Sequence, residues 1–247
     1  MAISRHQLVK ELEPGLNALF GLEYNRYDNQ HAEIYTSESS DRAFEEEVML
    51  SGFGNASVKS EGSGVAFDNA QESYSARYTH ETVALAFAIT EEAIEDNLYD
   101  RISSRYTKAL ARSMSNTKQV KAAAPLNNGL PSVDGFDSGD GVSLFNTSHT
   151  TVSGTSVKNT LSTQADLNET SLEQAMIDIS GMTDERGLRI AAKAVKMIVP
   201  SANQFQAERL MKSQGRVGTA DNDINSLASM GMIPQGYRVN NFLTDTD

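Results

Sequence analysis

The clearest pattern of hydrophobic and polar positions along the chain lies in residues 90–124. Apolar residues recur there every four positions, which on an α-helix forms one slowly drifting stripe. The stripe consists of Ile94, Leu98, Ile102, Tyr106 and Leu110, widened by Ala109, Ser113 and Val120. Thr90 is a suitable N-cap, and Pro125 is expected to end the helix. At 1.5 Å per residue such a helix is roughly 50 Å long, more than most compact domains need.

The charges on this predicted helix are segregated, with acidic residues in its first half and basic residues in its second. Four basic residues, Arg101, Arg105, Lys108 and Arg112, fall within about 60° of one another beside the apolar stripe. Like charges four residues apart destabilise an isolated helix. We therefore expect these blocks to meet opposite charge in another segment or another copy of the chain. A solvated face and an unspecific contact with DNA are the alternatives.

The N-terminal segment predicts a short helix over 4–13, which Pro14 and Gly15 are expected to end. Residues 16–27 then carry many large apolar side chains around a glycine. This composition is typical of an arm that is buried on another surface, although packing on its own domain explains it equally well.

The chain from His31 to Ala70 is polar and rich in glycine and serine, with short strand-like runs between the glycines. These signals predict a β-hairpin with little core of its own. Its acidic knot, Glu45, Glu46 and Glu47, is expected to be a solvated edge, since no histidine or further carboxylate stands at metal-ligand spacing.

A long strand is predicted to follow and to run directly into the long helix. Two registers alternate along it, and the change between them near His80 and Glu81 indicates a bulge or bend. The first register is Tyr74, Ala76 and Tyr78, and the second is Val83, Leu85, Phe87 and Ile89.

The second half of the chain predicts a mixed α/β region. Helices are expected from capping boxes at Thr170–Glu173 and at Ser201, and over 222–230; strands are expected over 142–150, over 192–200 and over 236–243. Asp134, Asp137 and Asp140 lie among glycines, as calcium ligands can, but their spacing does not match the EF-hand and no glutamate closes the loop. An ordinary surface turn is favoured there.

Composition narrows the class of protein. The 247 residues carry a net charge of -12 with no Cys and no Trp, and residues 1–100 hold 19 acidic against 6 basic residues. This balance argues against autonomous nucleic-acid binding and against anionic membrane surfaces. The absence of Cys excludes disulfides, thiolate zinc sites and cysteine nucleophiles. With no long apolar run and no signal-peptide pattern, we expect a soluble protein made in the cytosol.

No catalytic constellation emerges from the sequence. The four histidines, His6, His31, His80 and His149, lie in different predicted elements, and phosphate-binding, nucleophile-elbow and zinc motifs are absent. Each histidine is expected to be a surface or packing residue. We therefore predict a protein that is not an enzyme and has no catalytic, cofactor-binding or metal-binding residues. The alternative is an enzyme, namely a hydrolase that uses a pair of carboxylates which no motif reveals.

Several strings resemble the major capsid proteins of tailed bacteriophages, and in particular the Mu-like major head subunit group. They are ELEPGLNALFGLEY, the segment from SSDRAFEEEVML to SMSNTKQ, GDGVSLFNTSHT and GRVGTADNDIN. The resemblance covers nearly the whole chain. It implies an α+β capsid fold that self-assembles into an icosahedral shell around phage DNA. An encapsulin-like compartment shell is the alternative.

The resemblance also implies a role for each region. Residues 1–30 would be an N-terminal arm, 31–89 an extended loop and strand over a neighbouring subunit, 90–129 the spine helix of the peripheral domain, and 130–247 mainly the axial domain. Relatives usually continue beyond the LTDTD segment into the peripheral domain, so the end could return there or be truncated.

The resemblance further implies which molecules the chain meets. The expected partners are other copies in hexamers and pentamers, with portal, scaffold or decoration proteins in addition. Packaged DNA would be contacted only unspecifically, and no membrane or cofactor is implied. The protein would be made in the host bacterial cytoplasm and end in the virion. The candidate contacts between subunits are the acidic knot Glu45, Glu46 and Glu47 and the basic residues Arg101, Arg105, Lys108 and Arg112.

Overall fold

The computed structural model describes residues 5–90, 92, 99–133, 135–216 and 223–244, with side chains described outside 5–14 and 99–102. The α-helices are α1 (Arg5–Tyr24), α2 (Tyr99–Asn127), α3 (Glu169–Ser180), α4 (Gln204–Lys212) and α5 (Ser226–Met230), with 3-10 turns at Gln30–Glu33 and Ser201–Asn203. The strands are β1 (Phe44–Leu50), β2 (Glu72–Thr79), β3 (His149–Thr150), β4 (Ser156–Val157), β5 (Met197–Pro200) and β6 (Tyr237–Asn240). No described helix is long and apolar enough to cross a membrane.

The chain divides into two compact units. We call Met1–Ser37 with His80–Ala123 the helical unit, and Glu38–Thr79 with Ala124–Asp247 the hairpin unit. The predicted mixture of helices and strands is present, and it is distributed unevenly. The named strands all belong to the hairpin unit, where they form two-stranded pairs.

The buried face of α2 differs from the predicted apolar stripe. Every fourth residue is buried along a seam of small or polar side chains: Ser103, Thr107, Ala111, Ser115, Gln119 and Ala123. Of the predicted stripe, Tyr106 is 54% exposed and Val120 is 50% exposed. Ile94 and Leu98 lie outside the described residues, as does the side chain of Ile102. The prediction failed because small side chains let other segments approach a helix closely, and apolar size alone does not reveal that face.

Gln119 connects this seam to the chain near the 3-10 turn at Gln30–Glu33. Its amide oxygen accepts from the His31 backbone N–H at 3.0 Å, and its Nε2 donates to the Asp28 carbonyl at 3.3 Å. The same nitrogen lies 3.0 Å from Nδ1 of the buried His31 ring. His31 is therefore a packing residue, as the sequence suggested, and the buried polar groups are hydrogen-bonded.

Two prolines lie inside helices that they were expected to end. Helix α1 continues through Pro14 and Gly15 to Tyr24, and α2 continues through Pro125 to Asn127. A proline inside a helix removes one backbone donor and its ring crowds the carbonyl four residues earlier, a cost of about 3 kcal/mol that the rest of each helix offsets. Beyond Pro125, the Asn128 N–H still donates to the Ala124 carbonyl at 3.0 Å.

Only one strand of the hairpin predicted within 31–70 is present, namely β1. Its partner β2 is the first part of the long strand predicted to follow, which is shorter than expected. Strands β1 and β2 pair antiparallel, and the register shifts between Val48 and Leu50 rather than near His80. Residues 80–90 are not in a strand, and Leu85 is 55% exposed. Alternation alone does not make a strand, because a strand also needs a neighbouring strand to pair with, and no strand of the described chain pairs with residues 80–90.

The core of the hairpin unit joins α3 and α5. It consists of Leu172, Met176, Leu227 and Ile233, with Ile179, Ala194, Met197 and Met211 packed against it. Strands β5 and β6 form a parallel pair, so the predicted strands over 192–200 and 236–243 are each reduced to four residues. The predicted strand over 142–150 is reduced to His149–Thr150.

Helix caps in the hairpin unit differ from the predicted ones. The capping box of α3 uses Asn168 and Ser171, two residues before the predicted pair of Thr170 and Glu173. Ser201 begins a 3-10 turn and does not cap α4 through its side chain. Asn and Ser cap as well as Thr does, so neighbouring candidates compete and the sequence cannot rank them.

Asn225 is the buried N-cap of α5, and its replacement by alanine is expected to destabilise the hairpin unit. Its side chain accepts from the Leu227 and Ala228 N–H groups and donates to the Leu210 and Ser213 carbonyls. Losing the cap while leaving those groups without a partner costs about 3 kcal/mol. Urea denaturation followed by circular dichroism measures this change. Asn55→Ala, at an exposed position of the same unit, is the control, and equal stability of Asn225→Ala and wild type would contradict the assigned role.

Candidate assembly surfaces

The acidic knot on β1 is largely engaged within its own hairpin. Glu46 pairs with Arg77 on β2 at 3.4 Å, and the Arg77 guanidinium also lies 4.3 Å from the centre of the Phe44 ring. Glu45 pairs with Arg42 at 3.7 Å. Glu47 has no ion pair among the described residues. The predicted solvated edge therefore contains one cross-strand ion pair, one local ion pair and one carboxylate without an ion pair in the described chain.

The connection between β1 and β2 carries exposed apolar side chains at its far end. We call residues 55–67 the hairpin tip. All thirteen of its residues are exposed, and Val58 and Phe67 are 96% and 97% exposed. Leaving a Phe or a Val side chain in water costs about 2 kcal/mol relative to burying it. Three large apolar side chains, Val58, Val65 and Phe67, are exposed within this one segment, and apolar surface that gathers into a contiguous patch marks an interaction site.

A contact between distant residues holds the base of the hairpin tip. Arg186 donates to the Asp68 carboxylate at 2.8 Å, and the Gly54 N–H donates to the same side chain at 2.7 Å. The hydrogen bond from Gly54 is the first cause that lowers the pKa of Asp68, followed by those from Asn69 and Arg186. The tip therefore starts from a fixed base on the hairpin unit.

The basic residues of α2 divide into engaged and unengaged side chains. Lys108 pairs with Glu23 of α1 at 3.6 Å, so it already meets an acidic residue of its own chain. Arg105 and Arg112 are exposed and have no ion pair within the described part of the chain. The side chain of Arg101 lies outside the described residues. Together with the exposed Tyr106, the two arginines give α2 a basic face with apolar positions.

A groove of about 1070 Å³ lies between the hairpin strands and the body of the hairpin unit. Two contacts join its walls. The Tyr74 hydroxyl of β2 donates to the Thr150 carbonyl of β3. A Cβ at Gly139 would lie 2.9 Å from Tyr74 Cβ, so this position needs a glycine to let the strand approach. Burial, followed by the Glu185 and Asp140 carboxylates, raises the pKa of Tyr74.

The groove contains a hydrogen-bonded pair of Asp140 and His149. Asp140 Oδ2 lies 2.8 Å from His149 Nδ1, and the Ser138 hydroxyl donates to the other carboxylate oxygen. Burial alone would raise the pKa of Asp140, but the bonds from Ser138 and His149 outweigh it and lower the pKa. His149 Nε2 is buried without a partner in the described chain.

The possible calcium ligands do not converge in the described residues. Asp140 is bound to His149, Asp137 accepts from Ser132 at 3.0 Å, and Asp134 lies outside the described chain. Among the described residues no group of three or more potential ligands could hold a metal ion.

Several features of these surfaces were not predicted from the sequence. Asp68 and Arg186 are 118 positions apart, and no local signal connects them. The sequence of residues 138–149 predicts a turn and a strand, and gives no signal for the Asp140–His149 contact. The sequence gives a weak signal that Phe67 is exposed, because a large apolar residue among glycines and serines has few neighbouring side chains to cover it.

The fold is similar to two solved structures of bacteriophage JBD30. A chain of its procapsid matches with a TM-score of 0.62 and 13% identity, covering 98% of this chain and 100% of that chain. A chain of its capsid decorated with minor capsid protein trimers matches with a TM-score of 0.60 and 10% identity, covering 88% and 95%. The architecture is thus of the phage capsid class, in which helices are combined with small sheets.

The sequence profile of the phage capsid protein family matches residues 73–247, which is more than half of the chain. The chain therefore belongs to this family and is a structural capsid protein. No curated protein matches it.

Proposed function

We propose that this chain is the major head subunit of a Mu-like tailed phage, and that its copies form the hexamers and pentamers of an icosahedral shell around DNA. The observation that carries the proposal is the hairpin tip, where Val58 and Phe67 are almost fully exposed in a single copy. A family member whose apolar segment is uncovered needs a partner for it. Another copy of the same chain is the partner always present during assembly.

The regions take the roles that the sequence resemblance implies. Residues 1–30 act as the arm, 31–89 as the extended loop and strand, 90–129 as the spine helix, and 130–247 mainly as the axial domain. The hairpin supports this division, since β1 and β2 present an uncovered tip. The length of α2, with 29 described residues, is consistent with a spine helix.

A second contact is electrostatic. Arg105 and Arg112 meet carboxylates of another copy, and Glu47 is the member of the acidic knot that has no ion pair in the described chain. Glu45, Glu46 and Lys108 contribute less, because they already have partners at 3.4–3.7 Å. Exposed ion pairs are individually weak, so many repeated copies are needed for a large total effect.

Other partners belong to the same proposal. The decorated JBD30 capsid carries minor capsid protein trimers, and by analogy decoration, portal or scaffold proteins would bind the finished or growing shell here. Packaged DNA is met only unspecifically, because the net charge of -12 disfavours a dedicated DNA surface. The chain is made in the host bacterial cytoplasm and resides in the virion.

Electron microscopy of the purified chain tests the proposal. We expect closed shells of uniform diameter, formed above a threshold concentration. A chain that stays monomeric at all concentrations would contradict it, and shells that package a protein cargo in place of DNA would favour a compartment.

A further inference from the structure

The groove beside the hairpin has an apolar rim that its own chain leaves uncovered. Val48 and Met49 contribute one side from β1, and Ile177 and Ile190 contribute the other from α3 and the segment after it. Each of the four side chains is about half exposed or more. Both edges of the groove can therefore contact an apolar segment of another molecule.

The groove also carries an excess of negative charge. Its charged lining comprises Glu47, Asp140, Asp178, Glu185 and Lys158. Lys158 is bound to Asp178 at 2.8 Å, and Asp140 is bound to His149. The Glu185 carboxylate accepts a hydrogen bond from the Val152 N–H at 2.8 Å, and this bond does not neutralise the charge of the carboxylate. Glu47 and Glu185 are therefore the carboxylates left to attract a cation.

The hairpin tip has the complementary composition. Lys59 is its sole basic residue, lies next to Val58, and has no ion pair within the described chain. Val58 and Phe67 supply exposed apolar surface in the same segment, one before and one after Lys59 in the sequence. Glu61 is the tip's one acidic residue, and it lies at the turn with Gly62, two positions beyond Lys59.

We propose that the groove of one copy holds the hairpin tip of a second copy, with Val58 and Phe67 on the apolar rim and Lys59 facing Glu47 and Glu185. This inference rests on the proposed function and identifies the surface that receives the tip. Tip and groove are different parts of one chain, so the contact is head-to-tail, and such contacts close into rings when the rotation permits. In this arrangement Glu47 pairs with Lys59 of a second copy, and Arg105 and Arg112 pair with carboxylates other than Glu47.

A charge exchange tests the contact in the full-length chain. We expect Lys59→Glu and Glu47→Lys each to raise the concentration needed for assembly at least about tenfold, because each places like charges together. The double variant restores the pair in reversed order and should recover most of the wild-type assembly. Light scattering measures the threshold concentration, and negative-stain imaging identifies the products.

The controls separate this contact from general effects of charge. Glu61→Gln alters the charge of the tip outside the contact and should assemble as wild type does. Circular dichroism should show all variants folded, since the altered side chains are exposed. Unimpaired single variants, or a double variant no better than either, would overturn the tip-in-groove contact while leaving the shell function standing. A wild-type chain that never assembles would overturn both.

Discussion

Replacing Phe67 with aspartate is expected to abolish shell assembly while leaving the subunit folded. The Phe67 side chain is 97% exposed in the single copy, so it contributes almost nothing to the stability of the monomer. Burying it on a neighbour stabilises each contact by about 2 kcal/mol, roughly thirtyfold in a dissociation constant. The aspartate loses that term and adds the cost of removing a carboxylate from water. Sedimentation velocity should show subunits or small oligomers in place of shells.

Two variants in the same segment control for charge and for size. Asn55→Asp introduces the same charge into the hairpin tip without removing an apolar group, and Phe67→Leu keeps an apolar side chain. Both should still assemble, with Phe67→Leu at a somewhat higher threshold concentration. If Phe67→Asp formed normal shells, the hairpin tip would not be buried between copies, and its exposure in the single copy would no longer support the proposed function.

Reversing both Arg105 and Arg112 to glutamate is expected to impair particle assembly without unfolding the monomer. Both side chains are exposed and have no ion pair among the described residues, so little intramolecular energy is lost. Between copies, the reversal turns attraction into repulsion with acidic residues, and the threshold concentration should rise roughly ten- to a hundredfold. Static light scattering over a range of concentrations measures it.

The matched control carries the same change of charge elsewhere. Arg189→Glu combined with Lys193→Glu alters two exposed basic residues in the hairpin unit and should have a smaller effect. Added salt should weaken wild-type assembly towards that of the α2 variant, because screening removes an attraction that the variant has already lost. Normal particles from the Arg105 and Arg112 variant would disprove electrostatic pairing on this face.

The existence of the main elements could be predicted from the sequence more readily than their surroundings. The apolar period of α2 and the alternation of Tyr74, Ala76 and Tyr78 are local signals, and a helix and a strand lie at those positions. The alternation at Val83 and Leu85 has the same form, yet those residues form no strand. What differs is the neighbouring strand, since β2 pairs with β1 and no described strand pairs with the later segment.

The buried face of α2 could not be predicted from apolar spacing. The seam from Ser103 to Ala123 is buried because neighbouring segments of the same unit approach small side chains and because Gln119 satisfies the backbone of another segment. Tyr106 and Val120 follow the stronger apolar pattern and yet stay exposed in one copy. A periodic pattern identifies a face that prefers burial, and it does not say whether the same chain covers it.

The contacts between subunits stay predictions, and the sequence pattern bears on them only through charge. Charge segregation identified Arg105 and Arg112 as side chains that need a partner, and the structure leaves both unengaged among the described residues. The same signal could not separate them from Lys108, which Glu23 already engages from α1. The groove joins Glu47 with Asp140, Asp178 and Glu185, which lie far apart in the sequence, so only the fold brings them together.

The central claim is that this chain is a shell-forming capsid subunit, and imaging of the purified wild-type protein over a concentration series tests it most directly. The account predicts that above a threshold concentration the 26.8 kDa chain forms closed, hollow particles of uniform diameter built from rings of subunits. A single species of monomer mass at every concentration, or open and irregular aggregates only, would contradict it.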